Sequence, residues 1–136
     1  MINENHKNKF NNFSLAMDRL TEVVLESKKA PSNTFVQDSL IQRFEFTFEL
    51  SWKTMQEYLS YSGKSVALPR DIITTSNGVG LISNGEKWLA AMLDRNKTSH
   101  IYDQEIANQV CHKIQETYYD LLVEFQKKIT ELYDQK

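Results

Sequence analysis

Apolar residues recur along the chain in steps of three and four, the spacing that puts side chains on one stripe of an α-helix. Phe10, Phe13, Met17, Leu20 and Val24 predict a first helix over residues 7–28, which stops before Pro31. Ser32 and Asn33 are available as caps. Leu40 or Ile41, Phe44, Phe48, Trp52, Met55 and Leu59 then predict a second helix over residues 34–61. Gly63 ends it, because glycine enters the left-handed region without a Cβ penalty. In the last third, Val110, Ile114, Tyr118, Leu121, Phe125, Ile129 and Leu132 form the longest stripe, with Asp103 in front as its cap. The stretch between is less regular. Pro69-Arg70-Asp71 suits the first turn of a short helix that Asn77-Gly78 closes, and Asn84-Gly85 makes a second break. Residues 86–94 then carry Trp88, Leu89, Met92 and Leu93 on one side. The pattern predicts an all-α fold, an antiparallel up-and-down four-helix bundle with a short extra helix between helices two and three. Phe46 and Leu50 lie opposite the Phe44/Phe48 line. Helix two therefore has a second face to bury, either against a second neighbour in the bundle or in a dimer or partner interface.

Composition narrows this picture. A length of 136 residues suits one domain over 1–136, and only 4 Gly and 2 Pro argue against a turn-rich β fold. The single cysteine, Cys111, excludes an intrachain disulfide and a four-thiolate metal site, which suits a reducing cytosol. The N-terminal residues lack the apolar core of a signal peptide, and no run reaches the roughly 18 apolar residues a membrane span needs. A cytoplasmic protein without membrane contact is expected. With 16 Lys+Arg against 18 Asp+Glu, the net charge of −2 exerts no global pull on nucleic acid, so any such contact is local.

The sequence contains no GxxxxGK[ST] loop, GxGxxG turn, HExxH helix or GxSxG elbow. His6 falls in a polar N-terminus expected to fray, and His112 and Cys111 have no partner at metal-ligand spacing. Neither a metal site nor a cofactor is expected. Glu45 and Glu49 lie four apart on helix two, on a face assigned also to Arg43 and Lys53 and set among aromatics such as Trp52. They read either as a solvated pair, with Glu49 and Lys53 as an i,i+4 ion pair, or as carboxylates near the core partnered by Arg43 or a neighbouring chain. The dense constellation is Arg95-Asn96-Lys97-Thr98-Ser99-His100-Ile101-Tyr102-Asp103, at the turn before the last helix. Arg95 offers a planar fork for phosphate oxygens and His100 a proton-exchanging imidazole. These are the minimum for metal-independent RNA cleavage: a group that moves protons and a cation for the developing phosphorane charge. A capping loop, with Arg95 paired to Asp94 or Asp103, explains the same residues structurally.

RFEFTFELSWKTMQEYL on helix two and GLISNGEKWLAAMLDRNKTSHIYDQ across the turn resemble the nucleotidyltransferase substrate-binding protein family, a helical branch of the HEPN superfamily. The resemblance implies a dimeric four-helix bundle that works with a separately encoded minimal nucleotidyltransferase and contacts RNA or a nucleotide locally. HEPN ribonuclease sites have an Arg, four to six residues and a His, often with a polar residue after the Arg. Arg95, Asn96 and His100 match that pattern. In some toxin members a Tyr two residues after the His takes an AMP group from the partner enzyme, which assigns that role to Tyr102. Two readings follow: a toxin-like ribonuclease silenced by its nucleotidyltransferase, or a non-catalytic subunit that binds the transferase's substrate. Asn84 and Gln104 stand where relatives are expected to have acidic residues, which bears on capping more than on chemistry.

Overall fold

The computed structural model describes residues 4–134, so residues 1–3 and 135–136 of the expected domain lie outside the described residues. Helix α1 (Glu4–Lys29) and helix α2 (Thr34–Tyr61) are joined by a tight turn and pack along their length. Asn33 is the cap: its Oδ1 accepts from the amides of Phe35 at 2.9 Å and Val36 at 3.2 Å, satisfying two donors that the first helical turn leaves open. Helix α3 (Pro69–Gly78) is the short extra helix, with Pro69 in its first turn. Asn84 takes the left-handed conformation (φ 61°) that short polar side chains tolerate, and helix α4 (Gly85–Arg95) follows. Gly85 is needed there because a Cβ would lie 2.8 Å from Cγ of Asn77, whose side-chain oxygen accepts the Gly85 amide at 3.1 Å.

The last rod contains three pieces: helix α5 (Gln104–Lys113), a π turn (Ile114–Tyr118) and helix α6 (Tyr119–Asp134). The sequence pattern predicted one regular helix, and the π turn has a physical cause. Val110, Ile114, Tyr118 and Leu122 are spaced by four, and at 3.6 residues per turn each step drifts about 40° around the helix. Three steps drift about 120°. The wider π turn absorbs this drift, and all four side chains are buried.

The result is a four-helix bundle with one short accessory helix. Phe13, Phe44, Phe48, Trp88, Tyr118 and Phe125 form an aromatic centre, with Phe44 stacked on Tyr118 at 5.6 Å and Phe48 tilted against Trp88 at 5.7 Å. Helix α2 packs against α1, α3, α4, α5 and α6, which accounts for much of its two-faced apolar pattern. Leu50 is partly buried against the core, whereas Phe46 is 37% exposed.

Three expectations need correction. His6 does not fray: α1 begins at Glu4, and His6 is two helical turns before Phe13 and so shares its buried face. Its Nε2 lies 2.7 Å from the Glu57 carbonyl and its ring meets Tyr61 edge-on. Leu93 is half exposed, because the buried line of α4 runs through Trp88 and Ala91. Trp52 is only partly buried, with the Lys53 ammonium 5.9 Å from its ring centroid. Among the described residues no helix is long and apolar enough to cross a membrane.

Candidate functional site

Helix α4 ends at Arg95, and the chain tightens into a 3₁₀ turn, Asn96–His100, before Asp103 restarts the helix. Asp103 caps α5 as its position predicted, accepting from the amides of Glu105 at 3.0 Å and Ile106 at 3.3 Å. It is therefore not the partner of Arg95. Asp94 is not either: its carboxylate accepts the Tyr118 hydroxyl from the π turn and pairs with Lys97 Nζ at 3.3 Å. Burial, and behind it the hydrogen bond to Asp94, pushes the Tyr118 phenol pKa upward, so the hydroxyl keeps its proton and donates.

Arg95 instead meets helix α2. Its Nη2 donates to Glu49 Oε1 at 3.2 Å, and the other Glu49 oxygen takes Lys53 Nζ at 3.1 Å. Thr98 Oγ1 lies 2.8 Å from Glu45 Oε2 and 2.8 Å from the Arg95 carbonyl, positions between which its one proton is shared. The Glu45/Glu49 pair thus anchors the turn that carries Arg95. Arg43, expected beside them, points to α1, where Nη1 donates to the Arg19 carbonyl at 2.7 Å and to Glu22 at 2.8 Å. Arg43 is two residues from Glu45 and six from Glu49, so helical geometry sends it to another face.

The Arg95–Glu49 pair positions the guanidinium without sealing it. The two side chains are 33% and 40% exposed, and a pair in that setting contributes about 0.2–1 kcal/mol. A phosphate oxygen can compete for the remaining guanidinium donors. Around the turn, Lys53, Arg95 and Lys97 balance Glu45, Glu49 and Asp94, so there is no broad positive field, and anion contact depends on Arg95 and Lys97 individually.

His100 and Asn96 are exposed at opposite ends of the 3₁₀ turn. Tyr102 is 85% exposed, and its ring meets that of His100 edge-on at 6.1 Å. The structure therefore brings Arg95, Asn96, His100 and Tyr102 onto one short segment, adds Glu45, Glu49, Lys53, Thr98, Asp94 and Tyr118 around it, and, among the described residues, gives Arg43 and Trp52 no hydrogen bond or ion pair with Arg95. Cys111 and His112 stand apart: Cys111 is buried with its thiol 3.8 Å from the Gln37 carbonyl, and His112 is exposed. Among the described residues no group of three or more His, Cys, Asp and Glu side chains is placed to hold a metal ion.

The fold is an all-α helical bundle that carries Arg95 and His100 on the turn before its last rod. The chain belongs to the family described as nucleotidyltransferase substrate binding protein like, which it matches over residues 8–131. It is 38% identical over 100 residues to the Haemophilus influenzae protein named "Probable ribonuclease HepT", a match spanning 67% of this chain and 66% of that one. A Haemophilus influenzae structure described as the fold of a substrate binding domain of a nucleotidyltransferase superposes with a TM-score of 0.81 at 26% identity. It covers 89% of this chain and 98% of that one. The tri-AMPylated Shewanella oneidensis HEPN toxin, solved with its MNT antitoxin, shares the fold at 16% identity and a TM-score of 0.75, covering 96% and 99%.

Proposed function

We propose that this protein is the toxin-like, metal-independent ribonuclease half of a pair with a minimal nucleotidyltransferase, acting in the cytoplasm as a homodimer. The observation that carries this reading is the turn itself: Arg95 is held by Glu49 yet open to solvent, with His100 exposed on the same 3₁₀ turn. Arg95 binds the scissile phosphate, with Asn96 as a further polar contact. The RNA 2′-hydroxyl attacks phosphorus, forming the P–O2′ bond while the P–O5′ bond breaks. One proton leaves the 2′-oxygen and one reaches the departing 5′-oxygen, and His100 assists these transfers. Arg95 offsets the charge that builds on the phosphorane oxygens. On one chain His100 stands in water, and apposition of the two turns in a dimer supplies a second imidazole and excludes solvent. The test is expression of wild type and His100→Ala in bacteria: wild type slows growth and degrades RNA and the variant does neither. Equal growth and intact RNA in both contradict the reading.

The exposure of Tyr102 favours a regulatory role within the same pair. Its phenol oxygen attacks the α-phosphorus of ATP held by the nucleotidyltransferase, pyrophosphate leaves, and the phenolic proton passes to solvent. Intact mass after incubation with the transferase and ATP shows added AMP on wild type and none on Tyr102→Phe. The second function reading, a non-catalytic subunit that binds the transferase's substrate, gains if the transferase co-purifies while RNA remains intact with wild type.

A further inference from the structure

A groove of about 420 Å³ opens between the α1–α2 turn and helix α5 with the start of the π turn, and none of the roles above uses it. We infer that it is a subsite for an unpaired nucleobase. Its walls are amides and hydroxyls, including Gln37, Gln104, Asn108 and Gln115, over an apolar floor of Leu40 and Cys111, and no Asp, Glu, Lys or Arg lines it. His112 also lines it, but a phosphate finds no Lys or Arg there. A flat, neutral ring with both donors and acceptors on its edge meets both kinds of wall.

The amides are held in fixed orientations. Gln37 is 7% exposed, and its Nε2 donates to the Pro31 carbonyl at 3.0 Å. A backbone carbonyl only accepts, so this contact fixes which end of Gln37 is nitrogen. The second Gln37 proton goes to Asn108 Oδ1 at 3.0 Å, and Gln37 Oε1 accepts from Gln104 Nε2 at 2.8 Å. The same Gln104 nitrogen donates to Asn108 Oδ1 at 2.9 Å. Both protons of Gln104 Nε2 and both lone pairs of Asn108 Oδ1 are then engaged. Among the described residues, Gln104 Oε1 and Asn108 Nδ2 have no hydrogen bond, which leaves an acceptor and a donor for a ligand. On the far wall Gln115 Nε2 donates to Ser27 Oγ at 2.8 Å and keeps its own carbonyl oxygen. A network fixed before binding costs little ordering when a base arrives.

Its placement links the groove to the candidate RNA site, so in assigning the base to an RNA strand the inference rests on that reading. Gln104 follows Tyr102 by two residues, and on α2 Gln37 precedes Glu45 and Glu49 by eight and twelve residues, about 12 and 18 Å of helix. A few nucleotides of single strand bridge that span, with the phosphate at Arg95 and the base in the groove.

Gln104 and Asn108 are exposed on α5, so Gln104→Ala and Asn108→Ala are expected to fold. The full-length protein is titrated with adenosine, guanosine, cytidine and uridine while the side-chain amide resonances are followed by NMR. The same variants, with His100 intact, are assayed for cleavage of a randomised single-stranded RNA. At least one nucleoside shifts the Asn108 amide resonance in wild type, and both variants weaken its binding at least fivefold. Both also lose base preference at a fixed position near the cut. Binding of nucleosides without any RNA cleavage keeps the base site, assigns it to a free nucleotide and overturns the ribonuclease reading. No shift at millimolar nucleoside, or cleavage whose base preference is unchanged in both variants, overturns the subsite.

Discussion

Arg95 shows how the surroundings of one residue decide its use. Its partner on α2 is half open to water, so the ion pair orients the guanidinium at little cost and leaves it able to bind an anion. The carboxylates that do this were visible in the sequence as an i,i+4 pair among aromatics. Their partner was not, because Glu49 and Arg95 are 46 residues apart and no local spacing joins them. Arg43, expected from the sequence as a partner of these carboxylates, points elsewhere because its helical phase puts it on another face. A second residue-scale consequence concerns pH. Burial, helped by nearby Asp38, pushes the Cys111 thiol up to about 11 from an ordinary 9.0, and burial likewise pushes the Tyr133 phenol up to about 12 from 10.0. The unfolded chain releases these protons at lower pH than the folded one, so the neutral forms stabilise the fold below about pH 9 and this contribution is lost as pH rises. Urea midpoints are therefore expected to hold level up to about pH 9 and fall between about 9 and 12, with Cys111→Ala delaying the start of the fall. An identical alkaline profile for wild type and Cys111→Ala contradicts the thiol's part.

At the scale of elements, the apolar stripes gave the helices closely, because burial of a face and helical periodicity point the same way. The π turn in the last rod has a trace in the steps of four through Val110, Ile114, Tyr118 and Leu122, but the stripe read from the sequence stepped from Tyr118 to Leu121 and so gave one regular helix. Its function follows from what it faces. It delivers Tyr118 to Asp94, one residue before Arg95, and so ties the end of α4 to the last rod. Tyr118→Phe retains the ring stacked on Phe44 and removes only the hydroxyl. It is expected to cost about 1.5–3 kcal/mol, the range for a hydrogen bond to a charged group. Amide exchange should also quicken across residues 94–100. Unchanged stability and exchange would show that Asp94 is held by Lys97 alone.

For the whole molecule, few glycines and prolines and a balanced charge pointed to a rigid helical bundle, and the bundle is what forms. The sequence also placed the chemistry-bearing residues on one turn. What it could not place is the convergence of Gln37 with Gln104 and Asn108, residues 67 and 71 positions apart brought together by the packing of α5 on α2. The near-neutral charge has a structural counterpart, since the cations around the turn are matched by carboxylates. On the proposed reading, RNA contact rests on individual groups, with His100 as the proton-transfer group. The most direct test uses purified full-length protein and single-stranded RNA, with end-group analysis of the products. Wild type is expected to leave 2′,3′-cyclic phosphate and 5′-hydroxyl ends, with His100→Ala slower by about 10²–10⁴-fold, the usual contribution of general acid–base catalysis. Equal rates for the two proteins, or 5′-phosphate ends, would contradict the account.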